Sequence, residues 1–217
     1  MSIATLLFYF IIIVPSAIIH EYAHGWAAYM QGDQTAKYAG RLTLNPLVHI
    51  DRWGTILMPV VLYFISGGTF MFAYAKPVPF NPYNLRDQKL GPALVAVAGP
   101  LSNFLVAAVF ALFVRILASG VISPAAGLDS FLGNLTGFLS LIVYANIMLA
   151  VFNLLPVPPL DGSHILYAIL PAPLSDKLHD FFARYGFMIL LVLIFFVFDL
   201  ISPIINWLYQ LFIGGVL

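Results

Sequence analysis

The sequence predicts an all-α polytopic membrane protein with about four transmembrane helices. Its composition is 62% hydrophobic and only 8% charged, with a mean hydropathy of +0.98, which is far more apolar than a soluble domain. Several apolar runs reach the roughly 20 residues that a helix needs to cross a bilayer. The segments between these runs are too short to hold a core of their own. We therefore expect one membrane-embedded domain over residues 1–217.

The first apolar run, residues 3–30, predicts a membrane helix with an ionisable cluster near its C-terminal end. His20 and His24 stand four residues apart on either side of Glu21, the only glutamate in the chain. Side chains at this spacing share one helix face, about 6 Å apart along the axis, so both imidazoles can bind one Zn²⁺. The carboxylate between them can act as a general base toward water. The alternative is a pair of buried structural histidines beside a paired acid.

The segment after the first helix predicts two less regular elements. Alternating side chains over residues 37–44 predict a short membrane-associated β-strand. We expect His49 to be an interfacial loop residue. Residues 53–81 begin as an apolar run, but glycines and prolines interrupt it. This pattern predicts a re-entrant element, with a helix to about Ser66 followed by a turn and an extended return.

The second half of the chain predicts further helices and limits the chemistry. We expect core helices over residues 91–118 and 131–155, a short helix over 163–170, a polar link over 171–184 and a C-terminal helix over 185–214. The absence of cysteine excludes thiolate ligands. Because the net charge is zero and no basic tract is present, we expect no nucleic-acid partner.

A catalytic zinc ion usually takes three protein ligands and keeps a fourth position for water. The acids available at membrane depth are Asp129, Asp161 and Asp199. We favour Asp161 because Pro156 and Pro158–Pro159 before it lack amide donors and force an extended backbone, which is tolerated only in protein or a water-filled cavity. Asp199 is expected to be a helix-end acid. The alternative for Asp161 is an acid in a proline-rich loop that leaves the membrane.

Three motifs together resemble those of the site-2 protease family of intramembrane zinc metalloproteases. They are HEYAHG on the first core helix, GPLSN on the second and NLLPVPPLDG on the third. The resemblance implies that His20, His24 and Asp161 are zinc ligands and that Glu21 is the general base. It also implies that Asn103 and Asn153 contact the substrate backbone. It further implies a transmembrane protein as substrate. PDZ and CBS modules are absent from this sequence, so a compact bacterial or archaeal form is expected.

The proposed ligands also constrain the topology. His24 and Asp161 lie at the C-terminal ends of their helices, so both helices must cross the membrane in the same direction to meet at one metal ion. Four spans and a re-entrant element satisfy this condition. They also place every basic residue except Arg115 on one side, and the positive-inside rule then puts the catalytic end toward the cytoplasm.

Two other functions would use the same cluster. One is a membrane carrier or channel that passes cations or protons through the histidine and carboxylate groups, although no convincing internal repeat supports it. The other is a catalytically silent binder of membrane helices that keeps zinc for structure. Structural zinc sites normally have four protein ligands, and the only evident fourth ligand is His164.

Overall fold

The structure is a computed structural model that describes residues 3–65, 67, 75–119, 128–192 and 198–215. These residues are largely helical and contain no β-strand, which confirms the all-α class and shows that the predicted β element is wrong. The chain divides into two compact units, Met1–Gly99 and Pro100–Leu217, and the division falls within one helix. The single domain predicted over residues 1–217 stays a prediction.

The first unit is built on α1 (Ile3–Met30), which contains the histidine cluster. Two single-turn helices follow, α2 (Thr35–Tyr38) and α3 (Pro46–His49), and both contact α1. A π-helical stretch (Arg52–Leu57) continues into α4 (Met58–Ile65). A 3₁₀ turn (Pro82–Asn84) precedes α5 (Gly91–Ala118), whose first residues complete this unit.

A helix and a glycine turn occupy the region where the strand was predicted. Gly32, with φ of +106°, allows the chain to turn after α1. The side chain of the fully buried Asp33 accepts hydrogen bonds from the Thr35 amide and hydroxyl, which forms a local turn before α2. Gly40 then adopts φ of +66°. The alternation over residues 37–44 therefore belongs to a helical turn and a glycine bend.

The predicted re-entrant element is described in part. Its helix ends at Ile65, and Gly67 follows with φ of +63°, a conformation that glycine adopts readily. Residues 72–74 of the expected extended return lie outside the described residues, and residues 75–80 have no regular secondary structure. His49 was expected to be an interfacial loop residue, which is wrong: it ends α3 and is 1% exposed.

The second unit contains the rest of α5 and four further helices, α6 (Asp129–Asn153), α7 (Gly162–Ile169), α8 (Ala172–Val192) and α9 (Phe198–Ile213). Helices α6 and α9 pack closely through a core of buried aliphatic side chains that includes Val143, Ile147, Ile201 and Ile205. Small and aliphatic residues of α5, among them Ala107 and Val114, belong to the same core.

Two of the described helices, α5 and α6, are long and apolar enough to cross a membrane by length and composition. The polar link predicted over residues 171–184 is wrong because α8 runs through it without a break. Pro173 lies in the first turn of α8, where a missing backbone N–H costs little. The C-terminal helix predicted over residues 185–214 corresponds to the end of α8 and to α9, and residues 193–197 between them lie outside the described residues.

Candidate active site

His20 and His24 lie on one face of α1 and point their Nε2 atoms at a common position. The two Nε2 atoms are 3.0 Å apart, and the rings meet edge to face with centroids 4.6 Å apart. Both side chains are buried. Two nitrogens bound to one tetrahedral zinc ion, each at about 2.05 Å, lie about 3.3 Å apart. The pair therefore has close to the spacing that a shared zinc ion requires.

The backbone of α5 fixes the orientation of His24. Its Nδ1 atom lies 2.7 Å from the carbonyl oxygen of Val95. A carbonyl can only accept, so Nδ1 carries the proton and Nε2 presents its lone pair toward His20. This is the arrangement by which metal-binding histidines are usually held, with the second ring nitrogen donating to a carbonyl or carboxylate. The sequence did not indicate Val95, because only its backbone takes part.

Gly99 leaves the space that the two imidazoles occupy. A Cβ atom at this position would lie 2.4 Å from Nε2 of His24 and 2.6 Å from Cε1 of His20, distances that real Cβ atoms essentially never show. Any larger residue would displace the rings. The sequence contained a signal for this position, the GPLSN motif, but the reason for the glycine is visible only once α5 lies against α1.

The carboxylate of Glu21 is held by the segment that precedes the 3₁₀ turn. Its Oε2 atom accepts a hydrogen bond of 2.8 Å from the backbone N–H of Val78, and Glu21 itself is half-buried. Val78 is buried against α1, where a Cβ on Gly25 would lie 2.9 Å from its Cγ1 atom. Glycine at position 25 therefore lets this segment lie directly on α1, one turn after Glu21.

The predicted third ligand, Asp161, lies in the second unit, immediately before α7, and is half-buried. Its neighbour Gly162 permits a close backbone approach: a Cβ there would lie 2.2 Å from the carbonyl oxygen of Leu154. The other two acids considered as ligands, Asp129 and Asp199, are exposed, as is His164. The structure does not test whether Asp161 is a ligand, and this role stays a prediction.

The two asparagines implied by the resemblance differ in their surroundings. Asn103 is fully buried in α5 and donates a 2.9 Å hydrogen bond to Oδ1 of Asn146 on α6, a partner that the sequence did not indicate. Asn153 is half-buried near the end of α6, and its side chain donates to the carbonyl oxygen of Leu149 one turn earlier. Asn153 is thus the more accessible of the two.

The family model for peptidase family M50 matches residues 8–121 and 116–193, which together make up most of the chain. No solved structure matched the chain.

Individual relatives agree with this family. The Bacillus subtilis protein named "Putative zinc metalloprotease YwhC" is 40% identical over 84% of this chain and 78% of its own length. The similarly named Rip2 of Mycolicibacterium smegmatis is 28% identical over 90% of this chain and 68% of its own. Protease RseP of Photorhabdus luminescens is 36% identical over 35% of each chain. The chain therefore belongs to peptidase family M50 and is a zinc metalloprotease of the membrane.

Proposed function

We propose that this metalloprotease is an intramembrane endopeptidase, which hydrolyses a peptide bond within or near a transmembrane segment of a membrane protein. The observation that carries the proposal is the His20–His24 pair, with its Nε2 atoms 3.0 Å apart next to Glu21 in an apolar helix. Ionisable groups in such a helix are costly and are usually functional. The family match favours an enzyme over the carrier and the silent binder.

The chain supplies ligands suited to zinc. His20 and His24 would bind through Nε2, and we propose Asp161 as the third ligand, which leaves one position for water. Catalytic zinc sites in other proteins use the same kinds of ligand, imidazole nitrogens and a carboxylate oxygen. When bound, Zn²⁺ polarises a peptide carbonyl and lowers the pKa of water.

Glu21 performs the proton transfers. Its carboxylate takes a proton from the water whose oxygen attacks the carbonyl carbon, and it returns that proton to the amide nitrogen as the carbon–nitrogen bond breaks. The products are a carboxylic acid and an amine, so atoms and charges balance. Asn153 and Asn103 would donate amide hydrogen bonds to the carbonyl oxygen as negative charge develops there.

The substrate must be locally unwound before attack. Except in its last turn, the carbonyls of a transmembrane helix accept hydrogen bonds from the same helix, so a scissile bond there is shielded until that pairing is broken. We propose that the chain crosses the cell membrane four times, with residues 53–81 re-entrant and the catalytic end toward the cytoplasm. The distribution of basic residues supports this orientation.

Metal content of the detergent-purified protein tests the ligands, and cleavage of a single-span membrane protein tests the reaction. We expect about one zinc ion per chain in the wild type, and a loss of at least tenfold in affinity in His20→Ala and in Asp161→Ala. Glu21→Gln should keep the zinc and lose cleavage by about 100-fold or more. Asp199→Ala removes an exposed acid and is the matched control, which should keep both properties.

Two results would contradict the proposal. Cleavage by Glu21→Gln at the wild-type rate would exclude Glu21 as the general base. Full zinc binding by Asp161→Ala would exclude Asp161 as a ligand while leaving the histidine pair and the enzyme class intact.

A further inference from the structure

We infer that His49, which the proposed chemistry does not use, is a positioning residue for the general base. It acts through residues 76–80, here called the proline segment, whose Val78 amide holds Glu21. The inference rests on the proposed role of Glu21. Three successive hydrogen bonds in the first unit carry it.

The first bond joins the proline segment to Glu21. Pro77 and Pro79 have no backbone N–H, so the Val78 amide is the only donor between them, and it points at Oε2 of Glu21 at 2.8 Å. This bond fixes the position of one carboxylate oxygen and restricts the positions that the other can take. The general base is thus oriented by an amide that has no neighbouring donor to replace it.

The second bond joins the proline segment to α3. The Lys76 amide, two residues before Val78, donates to the carbonyl oxygen of His49 at 2.8 Å. His49 is the last residue of α3, and the last carbonyls of a helix have no partner within it. The start of the proline segment is therefore tethered to the end of this short helix.

The third bond fixes α3 itself. The His49 side chain is 1% exposed, and its Nε2 atom lies 2.8 Å from the carbonyl oxygen of Thr43. Because that carbonyl only accepts, Nε2 carries the proton. In the part of the chain that the structure describes, no hydrogen-bonding group reaches Nδ1. A helix of a single turn has little stability of its own, so it depends on side-chain bonds. Asn45 accepts from the Leu47 amide and Arg41 donates to the Val48 carbonyl, and the buried bond from His49 to Thr43 fixes the residue whose carbonyl accepts from Lys76.

Two substitutions distinguish the contribution of Nε2 from that of Nδ1. The side-chain amide nitrogen of glutamine reaches about as far as Nε2, whereas that of asparagine reaches only as far as Nδ1. His49→Gln should therefore keep the bond to Thr43, and His49→Asn should lose it. The two variants are polar amides of similar size, so they are matched for burial cost.

The first experiment measures kcat and KM for cleavage of a single-span membrane protein, together with the zinc content of each variant. We expect His49→Asn to lower kcat about 10- to 100-fold, the scale of a misplaced catalytic group, with KM and zinc content near wild type. His49→Gln should restore kcat to within about threefold of wild type. Equal kcat in the two variants would overturn the inference, as would a loss of zinc in His49→Asn that accounts for its lower activity.

Amide hydrogen exchange of the zinc-loaded protein is the second measurement and does not depend on activity. Because of its prolines, the proline segment exchanges only at Lys76, Val78 and Phe80. We expect at least tenfold faster exchange there in His49→Asn, with α1 unchanged and His49→Gln like wild type. Unchanged exchange in His49→Asn would overturn the inference. If Glu21→Gln proved fully active, the proposed function would fail, whereas the exchange contrast would still report whether His49 holds the segment.

Discussion

At the scale of single residues, the candidate site is a pair of imidazoles with a glycine opposite. The histidine spacing was predictable because four residues on a helix have a fixed geometry. The need for glycine at position 99 was not predictable, because it depends on contact with a different helix. That helix, α5, begins at Gly91, 61 residues after the end of α1 at Met30, and its backbone lies against the imidazole rings. Local helix geometry therefore predicts which side chains can bind a metal ion, whereas tertiary packing determines the space around them.

Gly99→Ala tests this space. The added Cβ would lie 2.4 Å from His24, so the rings must move, and we expect zinc affinity to fall about 10- to 100-fold. The control is Gly137→Ala in α6, where a Cβ meets nothing within 4 Å. That variant should keep its zinc and gain up to about 1 kcal/mol of stability, because alanine favours a helix over glycine. Titration with zinc and thermal unfolding measure both effects, and wild-type zinc affinity in Gly99→Ala would contradict the prediction.

At the scale of elements, one buried carboxylate ties the end of α1 to two later segments. Asp33 accepts from Thr35 at the start of α2, from the Asn81 amide and from the Asn84 side chain. Burial raises the pKa of Asp33, but these hydrogen bonds outweigh it and the pKa is lowered overall. The prediction of a strand over residues 37–44 was wrong because alternation alone cannot reveal the turn that the Asp33 side chain makes with Thr35.

Asp33→Asn tests this junction. A carboxylate with a lowered pKa contributes stability above its ordinary pKa of 3.8 and loses that contribution as the pH falls through its folded-state value. We therefore expect the variant to unfold several degrees below wild type at pH 7, and the difference to shrink below about pH 4. Asp176→Asn changes an exposed acid and should match wild type at every pH. A constant difference across this pH range would show that the lost charge is not the cause.

The long helices followed from the sequence more closely than the connections between them. The apolar runs at residues 91–118 and 131–155 became α5 and α6 within two residues, because a helix in an apolar environment must satisfy all its backbone groups internally. The polar residues 171–184 were misread as a link. Their charges lie on a continuous helix that keeps apolar side chains such as Leu174 and Leu178 among them.

At the scale of the whole molecule, sequence motifs identified the family and its chemistry, and the membrane topology stays a prediction. The chain has no cysteine, so single cysteines can report the side of the membrane without a background. We expect the cysteines of Lys89→Cys and Lys177→Cys to react with a membrane-impermeant thiol reagent only in inside-out vesicles. The cysteine of Arg115→Cys should react only in intact cells. Labelling of all three from the same side would contradict the four-span arrangement. Each variant should retain zinc, which verifies that it is folded.

The paired prolines of the proline segment have one more consequence, for association between chains. A β-ladder forms only where both backbones offer donors and acceptors in alternation, and extended chains with unpaired donors invite such pairing. Between Pro77 and Pro79 the sole donor is already engaged by Glu21. We therefore expect no β-ladder between two copies of the protein along this stretch, so the segment next to Glu21 offers no template for aggregation.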